Sequence, residues 1–93
     1  MIDIERYINE AKAALENGQT EDAIGILDQL IIENYQEAMF MKGEIYYKLQ
    51  QWGKALNEFS RYRDFFPDDK RTDSYILMIR NILGFYYRDL YNP

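Results

Sequence analysis

The sequence contains no cysteine and no histidine. Without cysteine the chain can form neither a disulfide nor a thiolate metal site, and it has no cysteine nucleophile. Without histidine it has no Ser-His-Asp triad, no Cys-His dyad and no imidazole ligand for zinc. These absences disfavour hydrolase chemistry. We therefore expect a protein that is not an enzyme, with no catalytic residues, no cofactor and no metal ion.

The chain also lacks any apolar run of about 18 residues, so its sequence predicts no transmembrane helix. The segment from Met1 to Arg6 carries acids where a signal peptide has a basic region, which favours a cytoplasmic location. The formal net charge is −5 and the sequence pI about 4.6. Because such a charge repels phosphate groups and anionic headgroups, we expect neither nucleic acid nor a membrane surface as a partner.

Three local patterns resemble binding motifs, but none is complete. The glycines do not cluster into a phosphate-binding loop. The aspartates between residues 64 and 73 lack the ligand alternation and the closing glutamate of an EF-hand. Aromatic and basic residues alternate at 62–63 and 86–88, a pattern that suits single-stranded nucleic acid. Given the acidic balance, we interpret these aromatics as core filling and as a capping tail.

The apolar residues, which make up 47% of the chain, recur at a spacing of three and four. This spacing places them in stripes along helices, and no segment alternates apolar and polar residues with period two. Asp3 can cap the first helix, Gly18 can close it, and Pro67 must end the fourth. The sequence predicts an all-α fold with five helices near residues 3–17, 20–33, 36–49, 52–66 and 70–87.

The stripes repeat along the chain. Ala23 and Ala55 are 32 residues apart, and the same offset relates Ala11 to Gly43. Repetition at this length is typical of stacked helical units, in which each unit buries its apolar face on the next.

The second unit resembles the tetratricopeptide repeat. Gly43, Tyr46, Ala55, Phe59 and Pro67 match the residue types of that family at its spacing. The small residues Gly43 and Ala55 predict a tight crossing of the two helices of this unit. In the first unit the small residues are kept, but Ala14 replaces the aromatic residue and Tyr35 stands where the family has proline, within a unit shorter than the usual ~34 residues.

The resemblance implies a single domain over residues 1–93, folded as an α-α superhelix of two antiparallel helical hairpins and a capping helix. Repeat 1 would cover about 4–35, repeat 2 about 36–69, and the capping helix with its tail about 70–93. It also implies a protein-protein interaction module whose first helices line a concave face. The expected partner-binding residues on that face are Ile8, Lys12, Leu15, Phe40, Met41, Glu44, Tyr47, Ile76, Leu77 and Arg80.

The chemistry of this face suggests an apolar partner. Some members of the family hold a carboxyl-terminal peptide with lysine, asparagine and arginine, but the matching places here carry Ile8, Lys12 and Met41. We therefore expect a protein or peptide partner such as an amphipathic helix laid in the groove.

Two alternatives stay open. The chain can be a self-associating structural subunit, a homodimer that buries its apolar face, because two repeats fall short of the ~3 usually needed for stability. Alternatively, Phe40, Met41 and Tyr47 pack inside the molecule, under the tail with Tyr86, Tyr87, Leu90 and Tyr91 or against a neighbouring helix.

Overall fold

The computed structural model describes residues 3–86 and contains only helices in that range. The predicted all-α fold is confirmed, and no helix end differs from the predicted end by more than two residues. The helices are α1 (Ile4–Glu16), α2 (Thr20–Ile32), α3 (Ala38–Lys48), α4 (Trp52–Phe65) and α5 (Arg71–Tyr86). Each helix packs on the next in chain order, as expected of stacked antiparallel hairpins.

Helices α1, α2 and α3 end in the same type of turn, with one residue in the left-handed conformation. Gly18, Asn34 and Gln50 have φ values of 76°, 69° and 60°. At each turn the next amide donates to the carbonyl five residues back, as Gln19 does to Ala14 at 2.8 Å. The turns recur every 16 residues. The offset of 32 residues therefore relates the turn between α1 and α2 to the turn between α3 and α4, and the turn after α2 lies halfway between them. The sequence predicted this conformation only at Gly18.

Other helix ends depend on side chains. Asp3 caps α1 as predicted, because its carboxylate accepts a hydrogen bond from the Arg6 amide at 3.1 Å. At the start of α2, Gln19 holds the cap position without a side-chain hydrogen bond, and Thr20 is the first residue of the helix. Helix α4 ends at Phe65, two residues before Pro67.

The apolar stripes pack into two cores of different character. The first core, between α1, α2 and α3, is aliphatic, and the second, between α3, α4 and α5, is aromatic. The buried residues of the first core are Ala11, Ala14, Ala23, Leu27, Leu30, Ala38 and Ile45. Those of the second core are Met39, Phe40, Ala55, Phe59, Tyr62, Ile76 and Ile79.

Gly43 allows α3 to lie against the ring of Phe59. A Cβ atom at Gly43 would come within 2.7 Å of Cε1 of that ring. The ring cannot retreat freely, because it is fully buried and stacked on Tyr75 with the ring centres 4.4 Å apart. The prediction of a tight crossing at Gly43 therefore matches the structure, with the Phe59 ring as the group that requires the missing side chain.

Candidate partner-binding surface

A groove lies where α1 and α3 run side by side. It has a volume of about 400 Å³. Four residues expected on the concave face meet there, namely Lys12 and Leu15 from α1 and Met41 and Glu44 from α3. The full lining is Lys12, Leu15, Thr20, Met41, Glu44, Ile45, Lys48 and Leu49.

The groove combines an apolar floor with basic edges. Leu15 and Met41 are half-buried, and Leu49 leaves 45% of its surface exposed. Lys12 and Lys48 are exposed, and neither makes a salt bridge within residues 3–86. A chain with a net charge of −5 thus presents two ammonium groups and one carboxylate, that of Glu44, around an apolar depression.

The carboxylate of Glu44 is oriented by the capping helix. The hydroxyl of Tyr75 on α5 donates to Oε2 of Glu44 at 2.9 Å. Burial and this hydrogen bond both raise the pKa of Tyr75, so the hydroxyl keeps its proton and acts as the donor. The wall of the groove formed by α3 is therefore tied to α5.

Tyr47 also joins α3 to α5. Its ring packs edge-on against Tyr75 and Trp52, with centres 5.0 and 5.2 Å away. Its hydroxyl points to the sulfur of Met78 at 3.8 Å. Tyr47 is half-buried by these contacts, and it lies outside the lining of the groove.

Two of the residues expected on an open face are buried, and that expectation is wrong for them. Phe40 is 6% exposed and Ile76 is 2% exposed. The ring of Phe40 packs among Phe59, Tyr62 and Tyr75, at centre distances between 5.2 and 5.8 Å. The reason is that α5 covers this side of α3, which the stripe on α3 alone does not reveal. The tail over residues 87–93, the other proposed cover, lies outside the described residues.

Leu77 and Arg80 do not join the groove either. Tyr75 and Met78 are the residues of α5 that contact Tyr47 on α3. Two residues along a helix correspond to a rotation of about 200°, so Leu77 and Arg80 lie on the opposite side of α5. Ile8 is half-buried and packs against the first core outside the lining of the groove.

Thr20, Ile45, Lys48 and Leu49 line the groove although none of them is among the ten residues expected on the concave face. The sequence did contain a signal for the side of α5 that contacts α3. The usual repeat length of ~34 residues, counted from Met41 and Glu44, leads to Tyr75 and Met78, whose side chains contact α3.

The comparisons with known proteins agree with this geometry. Residues 37–69 match the family model described as the tetratricopeptide repeat. The five stacked helices give the chain a tetratricopeptide-repeat-like fold, and the family match itself covers 33 of its 93 residues. The matched range begins just before α3 and ends in the turn after α4, so it coincides with the second helical hairpin. Neither a curated protein nor a solved structure matches the chain.

A buried ion network connects the matched repeat to α2. Lys42 is 8% exposed, and its Nζ lies 2.6 Å from Oδ1 of Asp28 and 3.4 Å from Oε1 of Glu58. Arg61 reaches the same Glu58 oxygen at 3.3 Å. Burial alone would lower the pKa of Lys42, but the hydrogen bond to Asp28 and the charge of Glu58 outweigh it, and the pKa is raised. Lys42 therefore stays charged between the two hairpins.

A second network closes the repeat after Pro67. The hydroxyl of Tyr62 donates to Oδ2 of Asp69 at 2.6 Å, and Arg71 donates to both oxygens of the same carboxylate. These hydrogen bonds, led by those from Arg71, hold the pKa of Asp69 well below its usual range. The guanidinium of Arg71 also lies 4.1 Å from the ring centre of Phe40. The loop before α5 is thereby fixed to the aromatic core.

Two further kinds of site are absent from residues 3–86. No helix there combines the length and the apolar character needed to cross a bilayer. In the same part of the chain, no group of three or more His, Cys, Asp or Glu side chains is placed to hold a metal ion.

Proposed function

We propose that this protein is a non-catalytic interaction module that binds an amphipathic helix or peptide of a partner in the groove between α1 and α3. The module would comprise repeats over about 4–35 and 36–69, followed by a capping helix and tail over about 70–93. The family has protein-protein interaction as its general role, and the groove supports a specific form of it.

The observation that carries the proposal is the combination of an apolar floor with Lys12 and Lys48 at its edges. Apolar side chains of a partner would bury against Leu15, Met41 and Leu49. Acidic residues flanking the partner's apolar stripe would meet the two ammonium groups, which would speed encounter and select against basic partners.

Self-association through the face of Phe40 and Tyr47 has less support. Phe40 is already buried by Tyr62 and Tyr75 within one chain, so a second copy would gain little there. The cytoplasmic location and the lack of enzymatic activity stay predictions.

Three synthetic amphipathic helices with one apolar stripe and acidic, neutral or basic flanks test the proposal by fluorescence anisotropy. We expect the acidic peptide to bind most tightly, with an affinity that falls as salt is added. Replacing Met41 by Asp should abolish binding, whereas the matched change of Ile32, an apolar residue 72% exposed outside the groove, should leave it intact.

Equal binding of the three peptides would contradict the role of the lysines. Unchanged binding by the Met41→Asp variant would show that the groove is not the site. Circular dichroism of both variants controls for folding.

A further inference from the structure

One side of α5 carries a stripe that no described helix covers. Asp73, Leu77, Arg80 and Gly84 follow one another at spacings of four, three and four, which places them on one face of the helix. We call these four residues the end face. Asp73 and Arg80 are exposed, Leu77 leaves 61% of its surface exposed, and a Cβ atom at Gly84 would meet nothing within 4 Å.

The end face differs from the sides of α5 that serve the fold. Ile76 and Ile79 enter the aromatic core, and Tyr75 and Met78 contact α3. Leu77 belongs to neither core and is largely exposed. The outer side of a terminal helix in a stacked array is expected to be polar, and Leu77 is a large apolar residue at the centre of this one.

The charges on the end face are self-complementary. Asp73 lies four residues, or about 6 Å, before Leu77, and Arg80 lies three residues, or about 4.5 Å, after it. If two copies of α5 cross antiparallel at Leu77, Asp73 of each copy comes opposite Arg80 of the other. One two-fold axis then produces two identical ion pairs around a leucine contact, which is the arrangement of an isologous dimer.

Neither charge is strongly engaged by another side chain of residues 3–86. Within that range Asp73 has a loose pairing with Lys70, whose Nζ lies 4.0 Å away with both side chains largely exposed. Arg80 forms no ion pair among the described residues. The end face carries one charge of each sign and so favours neither an acidic nor a basic partner. It is complementary to the same face of a second copy that runs antiparallel to it.

We propose that the end face binds the same face of a second copy of this chain, with α5 antiparallel to α5 and Asp73 paired with Arg80 across the two-fold axis. This contact is separate from the groove, so a dimer would present two grooves. A single pair of helices lies at the low end of interface sizes, so the association should depend on concentration.

Analytical ultracentrifugation of the full chain, at about 0.15 M salt where the repulsion between two acidic chains is screened, tests the proposal. We expect a monomer-dimer equilibrium. The Asp73→Arg substitution sets two arginines opposite each other across the axis, and Arg80→Asp sets two aspartates opposite each other. Each variant alone should therefore raise the dissociation constant at least roughly tenfold.

The decisive measurement is the mixture of these two variants. The end face carries two arginines in the Asp73→Arg chain and two aspartates in the Arg80→Asp chain. An equimolar mixture should therefore associate as a heterodimer, although neither variant associates alone. Asp64→Arg, which makes the same charge change at an exposed site on α4, should dimerise like the unmodified chain.

Three outcomes would overturn the proposal: a monomer at all concentrations up to about 1 mM, a dimer insensitive to both substitutions, or a mixture that fails to associate. A monomer whose stability falls on Leu77→Ser would identify an intramolecular cover, such as residues 87–93, as the occupant instead. The Met41→Asp variant, altered only in the groove, should retain the dimer and so keeps this test independent of partner binding.

Discussion

Replacing Gly43 by Ala should destabilise the fold although alanine is the better helix former. The added Cβ would lie 2.7 Å from one carbon of the Phe59 ring and 2.9 Å from two others. Carbon atoms prefer about 3.5–4.0 Å, so the ring or the helix would have to move by roughly 1 Å. Such overpacking costs about 1–3 kcal/mol, against a gain of about 1 kcal/mol from helix propensity.

Gly25 provides the matched control, because it lies within α2 and a Cβ there would meet nothing within 4 Å. Gly25→Ala should therefore stabilise the protein by about 0.5–1 kcal/mol. The difference between the two variants isolates the clash. We expect it to be about 1–3 kcal/mol, a difference in melting temperature of roughly 4–8 °C per kcal/mol for a domain of this size.

Urea unfolding followed by circular dichroism measures both free energies, and a common m-value supports the comparison. In a Phe59→Leu background the cost of Gly43→Ala should shrink, because the smaller side chain leaves room; a double-mutant cycle reports the coupling. If Gly43→Ala and Gly25→Ala stabilise the protein equally, the Phe59 ring does not restrict this crossing and the reasoning is wrong.

Three more perturbations test other contacts. Phe40→Ala should lower the free energy of unfolding, measured in urea, by about 3–5 kcal/mol, because Phe40 is buried. Ile32→Ala, at an exposed position, should change it by less than about 0.5 kcal/mol, and equal effects of the two substitutions would show that Phe40 is not buried. Gln50→Gly should raise the melting temperature, because glycine accepts the φ of 60° without the penalty of about 1 kcal/mol that a side chain incurs; a lowered value would show that the turn is not left-handed. Since the pKa of Asp69 is lowered by folding, its contribution is present above the usual carboxylate pKa of 3.8 and is lost as pH falls through the lower folded value. Asp69→Asn should therefore reduce the loss of unfolding free energy between neutral and acidic pH, measured by urea unfolding at several pH values. An unchanged dependence on pH would refute the coupling of Asp69 to Arg71.

The helices were predictable because their signals are local. The stripe spacing located all of them, Gly18 and Pro67 marked two of their ends, and Gly43 indicated a close approach. Asn34 and Gln50 were missed as left-handed residues because neither is the usual glycine. The chain shows there that the hydrogen bonds of the turn outweigh the backbone preference.

The candidate site was predictable only in part, because faces depend on how helices are placed relative to one another. Four groove residues of α1 and α3 followed from the repeat spacing, namely Lys12, Leu15, Met41 and Glu44. On α5, a shift of two residues rotated the expected face by about 200° and selected Leu77 and Arg80 in place of Tyr75 and Met78. The burial of Lys42 had no local signal, since its carboxylate partners come from α2 and α4.

The ion network around Lys42 has a consequence for how the protein unfolds. In a stacked array, stability divides into what each unit contributes alone and what neighbouring units gain at their junction. Asp28 belongs to one unit and both Lys42 and Glu58 belong to the next, so the Lys42–Asp28 pair is the part of this network that crosses the junction. Unfolding the first hairpin alone would lose this pair together with the apolar contacts between α2 and α3, so the two hairpins should unfold together.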